Sequence, residues 1–191
     1  MKYIVGVDEA GRGPLAGPVS VGIVAVPVGF DVAAEFPGVK DSKKLSEKKR
    51  EAIFAQLEER KKLGDVKFSV CFESAQVIDA KGIAYAVKKA AWRGIRALAP
   101  EDIEKVFLDG SLKAPPEYIQ ETVIDGDNLI PIISLASVAA KVLRDRKMYE
   151  YEKEFPGYGF AKHKGYGTKE HYAAIREHGL SAIHRRSFLR D

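Results

Sequence analysis

Two adjacent acids, Asp8 and Glu9, follow the apolar run YIVGV at 3–7 and precede the glycine-rich loop GRGPLAGP at 11–18. An unpaired buried carboxylate is costly or takes up a proton, so acids at such a place call for cations. Further along, Asp109 ends EKVFLD at 104–109, and QETVID at 120–125 ends on Asp125, with Gly126 and Asp127 just beyond. In a layered α/β sheet the ends of neighbouring strands converge, which brings these carboxylates to one edge. Gathered there, they repel one another unless a divalent ion neutralises them. Oxygen ligands without His or Cys favour Mg²⁺ or Mn²⁺. Two such ions about 3.5–4 Å apart activate a water and stabilise the leaving oxygen of a phosphodiester. Taken singly, each acid reads equally well as a solvated turn residue, because Asp is a common turn former. Adjacent strand residues also point to opposite faces, so Asp8 and Glu9 serve one site only if the strand ends there, as Gly11 suggests.

The elements that must position these acids follow from pattern. YIVGVDE at 3–9, VSVGIVAVP at 19–27 and KFSVCF at 67–72 are β-branched or aromatic runs and read as strands, as do EKVFLDG and QETVID. Ser46 caps a helix whose Ile53, Phe54 and Leu57 form one face and which stops near Gly64. Ser74 opens a long helical pattern to about Leu98, interrupted by Gly82 and Gly94 and ended by Pro100. From Ser134 a small-residue helix runs to Phe155, and Thr168 caps a last helix that stops at Gly179. Three strands followed by alternating strands and helices predict an α/β chain with a mixed sheet and helices on its faces.

At 191 residues and 46% hydrophobic, the chain suits one domain over residues 1–191. Lys and Arg number 31 against 27 Asp and Glu, and the net charge of +4 mildly favours a polyanionic partner. From residue 155 onward bases outnumber acids, including Lys162, Lys164 and the Arg185-Arg186 pair. That C-terminal part, about 155–191, is therefore expected to be a helical, basic, substrate-binding extension whose last dozen residues are loosely attached. Cys71 stands alone, which fits a reducing compartment and excludes an internal disulfide. Met1 leads into KYIVGVDE without a secretory pattern, and no apolar run reaches the roughly 18 residues of a membrane span. A cytoplasmic protein that does not enter membranes is the expectation. His163, His171, His178 and His184 match no zinc spacing and are expected at the surface or facing nucleic acid, while Trp92 is expected in the core.

Six segments in order, DEAGRGPLAGPV at 8–19, DSKKLS at 41–46, FLDG at 107–110, GD with ISLASVAAKVLRD at 126–145, YGFAKHKGYGT at 158–168 and HRRSF at 184–188, resemble ribonuclease HII over nearly the whole chain. The resemblance implies an RNase H-like fold and a metal-dependent endoribonuclease. Such an enzyme cuts on the 5′ side of ribonucleotides in RNA/DNA hybrids and of single ribonucleotides in duplex DNA, leaving 3′-OH and 5′-phosphate ends. It implies ribonucleotide removal from DNA, RNA primer degradation, a monomeric enzyme, and two Mg²⁺ or Mn²⁺ ions during catalysis. By motif, the metal-binding and catalytic carboxylates fall on Asp8, Glu9, Asp109 and Asp127, with Asp145 the less favoured alternative for the fourth. Gly11, Arg12 and Gly13 match the loop that senses the ribose 2′-OH and adjacent phosphate. Tyr166 matches the aromatic that packs on the neighbouring sugar, and Lys43 and Lys164 match phosphate contacts. The GRG loop and the start at the first strand distinguish the chain from the related type HIII enzymes.

Two positions depart from the family pattern. Asp125 stands where a lysine is usual beside Asp127, and could bind metal or raise its neighbours' pKa values; Ile132 replaces an acid. Other functions fit less well. A transposase-type nuclease of the same fold needs further domains, and a noncatalytic binder gains nothing from acids near phosphates. A nucleotide switch would need GK[ST] after the glycines.

Overall fold

In the computed structural model, residues 1–39, 45–98 and 102–189 are described. The chain opens with strands β1 (Tyr3–Ala10) and β2 (Val19–Pro27), a one-turn helix α1 (Val32–Glu35), helix α2 (Glu47–Leu63) and strand β3 (Lys67–Glu73). Helices α3 (Ala75–Lys81) and α4 (Ile83–Leu98) lead to strands β4 (Ile103–Asp109) and β5 (Gln120–Val123). Helices α5 (Gly126–Leu129), α6 (Pro131–Glu154), α7 (Phe160–His163) and α8 (Lys169–His178) complete it, with a 3-10 turn at Arg186–Phe188. The sheet runs β3-β2-β1-β4-β5 and is mixed as expected: β1 is antiparallel to β2, β2 to β3, and β1-β4-β5 are parallel.

Local chemistry explains the boundaries. Ser46, Ser74 and Thr168 each accept a backbone N–H three residues on, the side-chain cap that starts α2, α3 and α8. Gly64 ends α2 at φ +87°. The long pattern after Ser74 is two helices, because Gly82 at φ +84° breaks it; Gly94 is absorbed into α4. Helix α6 starts three residues before the expected Ser134, since Pro131 occupies its first turn, where a missing N–H costs nothing. Strand β5 stops at Val123, so Asp125 and Asp127 lie past its end, Asp127 within the single turn of α5.

Side-chain parity divides the core. Val5, Val7, Val106 and Leu108 face α4, where they meet Ala86, Ala90 and Ile95. Ile4 and Phe107 face α6 and α2, against Ile132, Leu135, Ala136 and Phe54. Helix α6 lies directly on β1 and β2: a Cβ on Gly6 would stand 2.4 Å from the Ile132 oxygen, and one on Gly22 would stand 2.1 Å from the Ala136 oxygen. Side chains there would force the helix off the sheet, at a cost of about 1–3 kcal/mol or more each. A third cluster, including Met148, Tyr158, Phe160, Ala174 and Ile183, ties the C-terminal part to α6. Trp92 is partly buried, packed against the α4-side cluster with its Nε1 donating to the Lys113 oxygen. Among the described residues no helix is long and apolar enough to cross a membrane.

The described residues up to Leu189 are not loosely attached. Ala16 bridges to His184, Gly17 N–H donates to the Ile183 oxygen, and Arg185 N–H donates to the Leu15 oxygen. Asp79 accepts from the backbone N–H groups of Arg186 and Ser187. Charge counting along the sequence overlooked that this segment pairs with the backbone of the glycine-rich loop.

Candidate active site

The ladder between β1 and β4 ends at Val7–Leu108, whereas β1 stays paired with β2 as far as Ala10–Ser20. The strand therefore does not stop at Glu9; what stops is its pairing to β4. By parity Asp8 and Asp109 face α6, and the opening beyond Val7 lets Glu9 reach the same space. Asp8, Glu9, Gly11, Asp109, Asp127 and Tyr166 line one cavity of about 380 Å³, closed by Ser137, Val138 and Lys141 of α6 and Arg50 of α2.

Its electrostatics are those of crowded acids. Burial, then Glu9 and then Asp109 push the Asp8 carboxyl well above its ordinary value; the Ser137 hydroxyl and the Glu9 N–H, 2.7 Å from Oδ1, oppose this. Burial raises Glu9 too, while the Arg12 guanidinium, 3.2 Å from Oε1, pulls it down. Glu9 Oε2 is buried without a hydrogen-bond partner. The Asp127 N–H donates to Asp109 Oδ1 at 3.3 Å, which sets α5 against the end of β4. Among the described residues no three Asp, Glu, His or Cys side chains already stand close enough together to grip one metal ion.

The neighbouring groups sort themselves clearly. Arg12 borders a second, larger cleft of about 690 Å³ between α4 and the 111–116 loop, rimmed also by Lys88 and Lys113. A Cβ on Gly13 would lie 3.9 Å from the Tyr166 ring, so the loop and that aromatic adjoin. Tyr166 is 43% exposed. Lys164 is buried at φ +52°, its ammonium on the Ala161 oxygen and over the Tyr149 ring, and it does not line the cavity. A phosphate would have to draw it from those contacts. Lys43 lies outside the described residues. Asp145 pairs with Lys141 at 2.7 Å and Arg50 at 3.9 Å and does not line the cavity, whereas Asp127 does. Asp125 is exposed and outside the lining.

Several contributors escaped the sequence reading. Lys141 and Arg50 link the cavity to Asp145; the only signal was the i,i+4 spacing of Lys141 and Asp145. Two fully buried arginines brace the glycine-rich loop. Arg144 donates to the oxygens of Pro18, Ala16 and Lys164 at 2.9, 3.3 and 3.1 Å. Arg185 donates to those of Gly17, Arg12 and Gly11 at 3.0, 2.8 and 2.7 Å. Gly11, at φ +89°, leaves room for Arg144, whose Nε would stand 1.9 Å from a Cβ there. Arg185 is thus no surface cation available to phosphate. His163, His171 and His184 are buried as well, contrary to the surface placement expected from their spacing; their polar atoms are satisfied inside an aromatic cluster.

Residues 5–191 match the family described as Ribonuclease HII. The Ribonuclease HII of Geobacillus thermodenitrificans is 46% identical over 188 residues, covering 98% of this chain and 69% of that protein. A chain of the PCNA:RNase HII complex from Archaeoglobus fulgidus superposes with a TM-score of 0.77 at 27% identity, over 99% of this chain and 96% of that one. Bst-RNase HIII in complex with Mn²⁺ shares the fold, with a TM-score of 0.66 at 18% identity over 97% and 64% of the two chains. The five-stranded mixed sheet with its flanking helices is the RNase H-like fold. With a family match from the first strand to the C-terminus and acids gathered at the sheet's open edge, the chain belongs to the ribonuclease HII family and is a ribonuclease H.

Proposed function

We propose that the protein is a metal-dependent endonuclease. It hydrolyses the phosphodiester 5′ of ribonucleotides in RNA/DNA hybrids and of single ribonucleotides in duplex DNA, leaving 3′-OH and 5′-phosphate ends. In the cell, a cytoplasmic monomer of this kind serves ribonucleotide removal from DNA and degradation of RNA primers. The observation that carries the reading is adjacency: the cavity of Asp8, Glu9, Asp109 and Asp127 shares its wall with Gly11 and Tyr166.

The donor set fits Mg²⁺ or Mn²⁺. It is all hard oxygen, it holds a buried Glu9 oxygen without a partner, and its raised carboxyls mark a deficit of positive charge. Asp8, Glu9, Asp109 and Asp127 would hold the ions, and two such ions supply an activated water and a stabilised leaving oxygen. The chain's own groups do the rest. Arg12, half-exposed and with its guanidinium paired to Glu9, can fork two hydrogen bonds onto a phosphate beside the ribose. Gly11 and Gly13 keep the loop backbone close enough to inspect a 2′-OH, the group by which a protein tells RNA from DNA. The Tyr166 ring packs on the neighbouring sugar. Lys88, Lys113 and Arg12 rim a cleft whose lining, among the described residues, holds no acid, suited to the backbone of the flanking duplex. The exposed Lys169, Arg176 and Arg186 extend that field along the C-terminal part, with Lys43 and Lys164 as further phosphate contacts.

A labelled DNA duplex with one embedded ribonucleotide, incubated with Mg²⁺, Mn²⁺ or EDTA, tests this. Cleavage at the 5′ phosphate of the ribonucleotide with either metal and none in EDTA is expected. Equal cleavage of an all-DNA duplex would replace the reading with a general nuclease.

A further inference from the structure

Behind the loop that carries Tyr166, three buried imidazoles form a chain whose protons are fixed by their partners. The Ser181 N–H donates to His184 Nδ1 at 2.9 Å, so that nitrogen carries a lone pair and the neutral ring bears its proton on Nε2. His184 Nε2 lies 3.0 Å from His171 Nε2. His171 Nδ1 lies 2.9 Å from the Tyr166 carbonyl oxygen, which only accepts, so His171 is protonated on Nδ1 and its Nε2 is free to accept from His184. Beside it, His163 receives the Gly165 N–H on Nδ1 at 3.2 Å and donates from Nε2 to the Tyr158 oxygen at 2.8 Å. One neutral tautomer at each ring satisfies every contact. An extra proton on His171 or His184 would set two N–H groups against each other.

The surroundings hold the relay neutral. The His163 and His171 rings stack at 4.4 Å, Phe160 meets His163, His171 and His184 at 5.5 to 6.0 Å, and Tyr158 lies 5.1 Å from His184. Tyr158 packs beside His184, Arg185 follows it in the chain, and the surface-exposed Glu170 lies near His163. Burial first, then the other imidazoles, holds His171 below the ordinary histidine value and His184 down to about 4. At the output end the His171 ring holds the Tyr166 oxygen, which also accepts from the Thr168 N–H, while the Tyr166 N–H donates to the backbone oxygen of His163. The adjoining Gly165 oxygen accepts from the N–H groups of Leu15 and Ala16, at the end of the glycine-rich loop.

We propose that His171 and His184 are positioning residues for the reaction: a neutral, proton-specified imidazole relay that fixes the Tyr166 backbone and thereby the angle at which its ring meets the sugar beside the cut. This role rests on the proposed function, in which Tyr166 packs against substrate. The relay touches no substrate itself. It links the 181–184 segment, α8 and the Tyr166 loop, so the C-terminal part transmits its packing to one aromatic ring in the cavity.

Two measurements test it. On the wild-type protein at pH 7, imidazole nitrogen NMR should show His171 as the Nδ1–H tautomer and His163 and His184 as Nε2–H, all neutral. An Nε2–H His171 or a charged ring overturns the relay. In single-turnover cleavage of the one-ribonucleotide duplex with Mg²⁺, His171→Leu should lower the rate about tenfold or more, as misplacement by a fraction of an ångström does. His171→Asn, whose amide can still donate to the Tyr166 oxygen, should recover most of it. In a Tyr166→Ala background, His171→Leu should add little, because the residue it positions is gone. The same loss in both backgrounds, or Asn no better than Leu, overturns the role. Should His171→Leu fail to fold, the wild-type tautomers decide alone. A wild-type protein inactive on this duplex would overturn the proposed function and the role with it, while the tautomers still report on the relay.

Discussion

Arg185 donates from Nη2 to the carbonyl oxygen of Gly11 at 2.7 Å, joining positions 174 residues apart in the chain. The same guanidinium takes the oxygens of Arg12 and Gly17, so one buried fork sets the peptide planes on both sides of Arg12 and the one after Gly17. Burial and the nearby Arg144 cation pull Arg185 down to about 9, which leaves it charged at neutral pH. Two buried cations bonded to carbonyls rather than carboxylates give this loop a fixed shape and a positive underside.

Removing that fork should damage both stability and turnover. Arg185→Ala leaves three carbonyl oxygens without their donor, and at roughly 1–3 kcal/mol for each unsatisfied group the loss should be at least about 3 kcal/mol in urea unfolding. Arg185→Lys keeps the charge and loses the planar fork, so it should lie between, with cleavage falling more than stability. Unfolding curves for both variants that overlay the parent's would show that the loop holds its shape without Arg185.

An acid of the cavity and the alternative carboxylate outside it should respond differently. Asp109→Asn should lose about a hundredfold or more in cleavage rate, the scale of removed transition-state electrostatics, while folding normally. Asp145→Asn should be much milder, since Asp145 pairs with Lys141 and Arg50 outside the cavity. Comparable losses at both positions in single-turnover assays would mean that the Lys141-Asp145-Arg50 group does more than brace the wall.

How much of this was legible depended on whether the signal was local. Asp8 and Glu9 stood out because an apolar strand ended on charge, and Ser46, Ser74 and Thr168 announced helix starts through a bond only three residues long. Helix α5 escaped notice because one turn at Gly126–Leu129 has no periodicity to show. Arg185 was counted with the basic C-terminal segment and Arg144 was passed over, because composition does not reveal that most of their acceptors are carbonyls more than a hundred residues away. The histidines were assigned to the surface for a similar reason: His171 and His184 satisfy one another across two different elements.

The raised carboxyls predict an inverse relation between metal-free stability and function. An acid whose folded pKa lies above its unfolded one is destabilising when ionised, so the penalty from Asp8 and Glu9 is absent in acid and grows as pH rises through their raised values. Asp8→Asn should therefore raise the melting temperature in EDTA at neutral pH by a few degrees, at about 2–4 °C per kcal/mol for a chain of this size. The gain over the parent should shrink as pH falls. Mg²⁺ should stabilise the parent more than the variant. A variant that melts lower than the parent in EDTA would show that the Ser137 and backbone contacts to Asp8 outweigh its crowding.

In the proposed function Arg12 links substrate recognition to the protonation of the site. Its guanidinium lowers the Glu9 carboxyl against the upward pull of burial, so Arg12→Ala should let Glu9 rise further. If cleavage needs Glu9 ionised, the acid limb of the pH–rate profile must then move to higher pH, and the deficit relative to the parent must be largest in acid and shrink as pH rises. A second deficit should persist at all pH values if Arg12 also aligns the loop on the phosphate beside the ribose, as proposed above. It should appear as reduced discrimination between a ribonucleotide and a 2′-deoxy or 2′-O-methyl sugar at the same position. Profiles of log rate against pH for both proteins on the one-ribonucleotide duplex resolve the two effects. A parallel drop with no shift of the acid limb would mean that Arg12 serves the phosphate alone, and that the Glu9 contact at 3.2 Å is given up once substrate is bound.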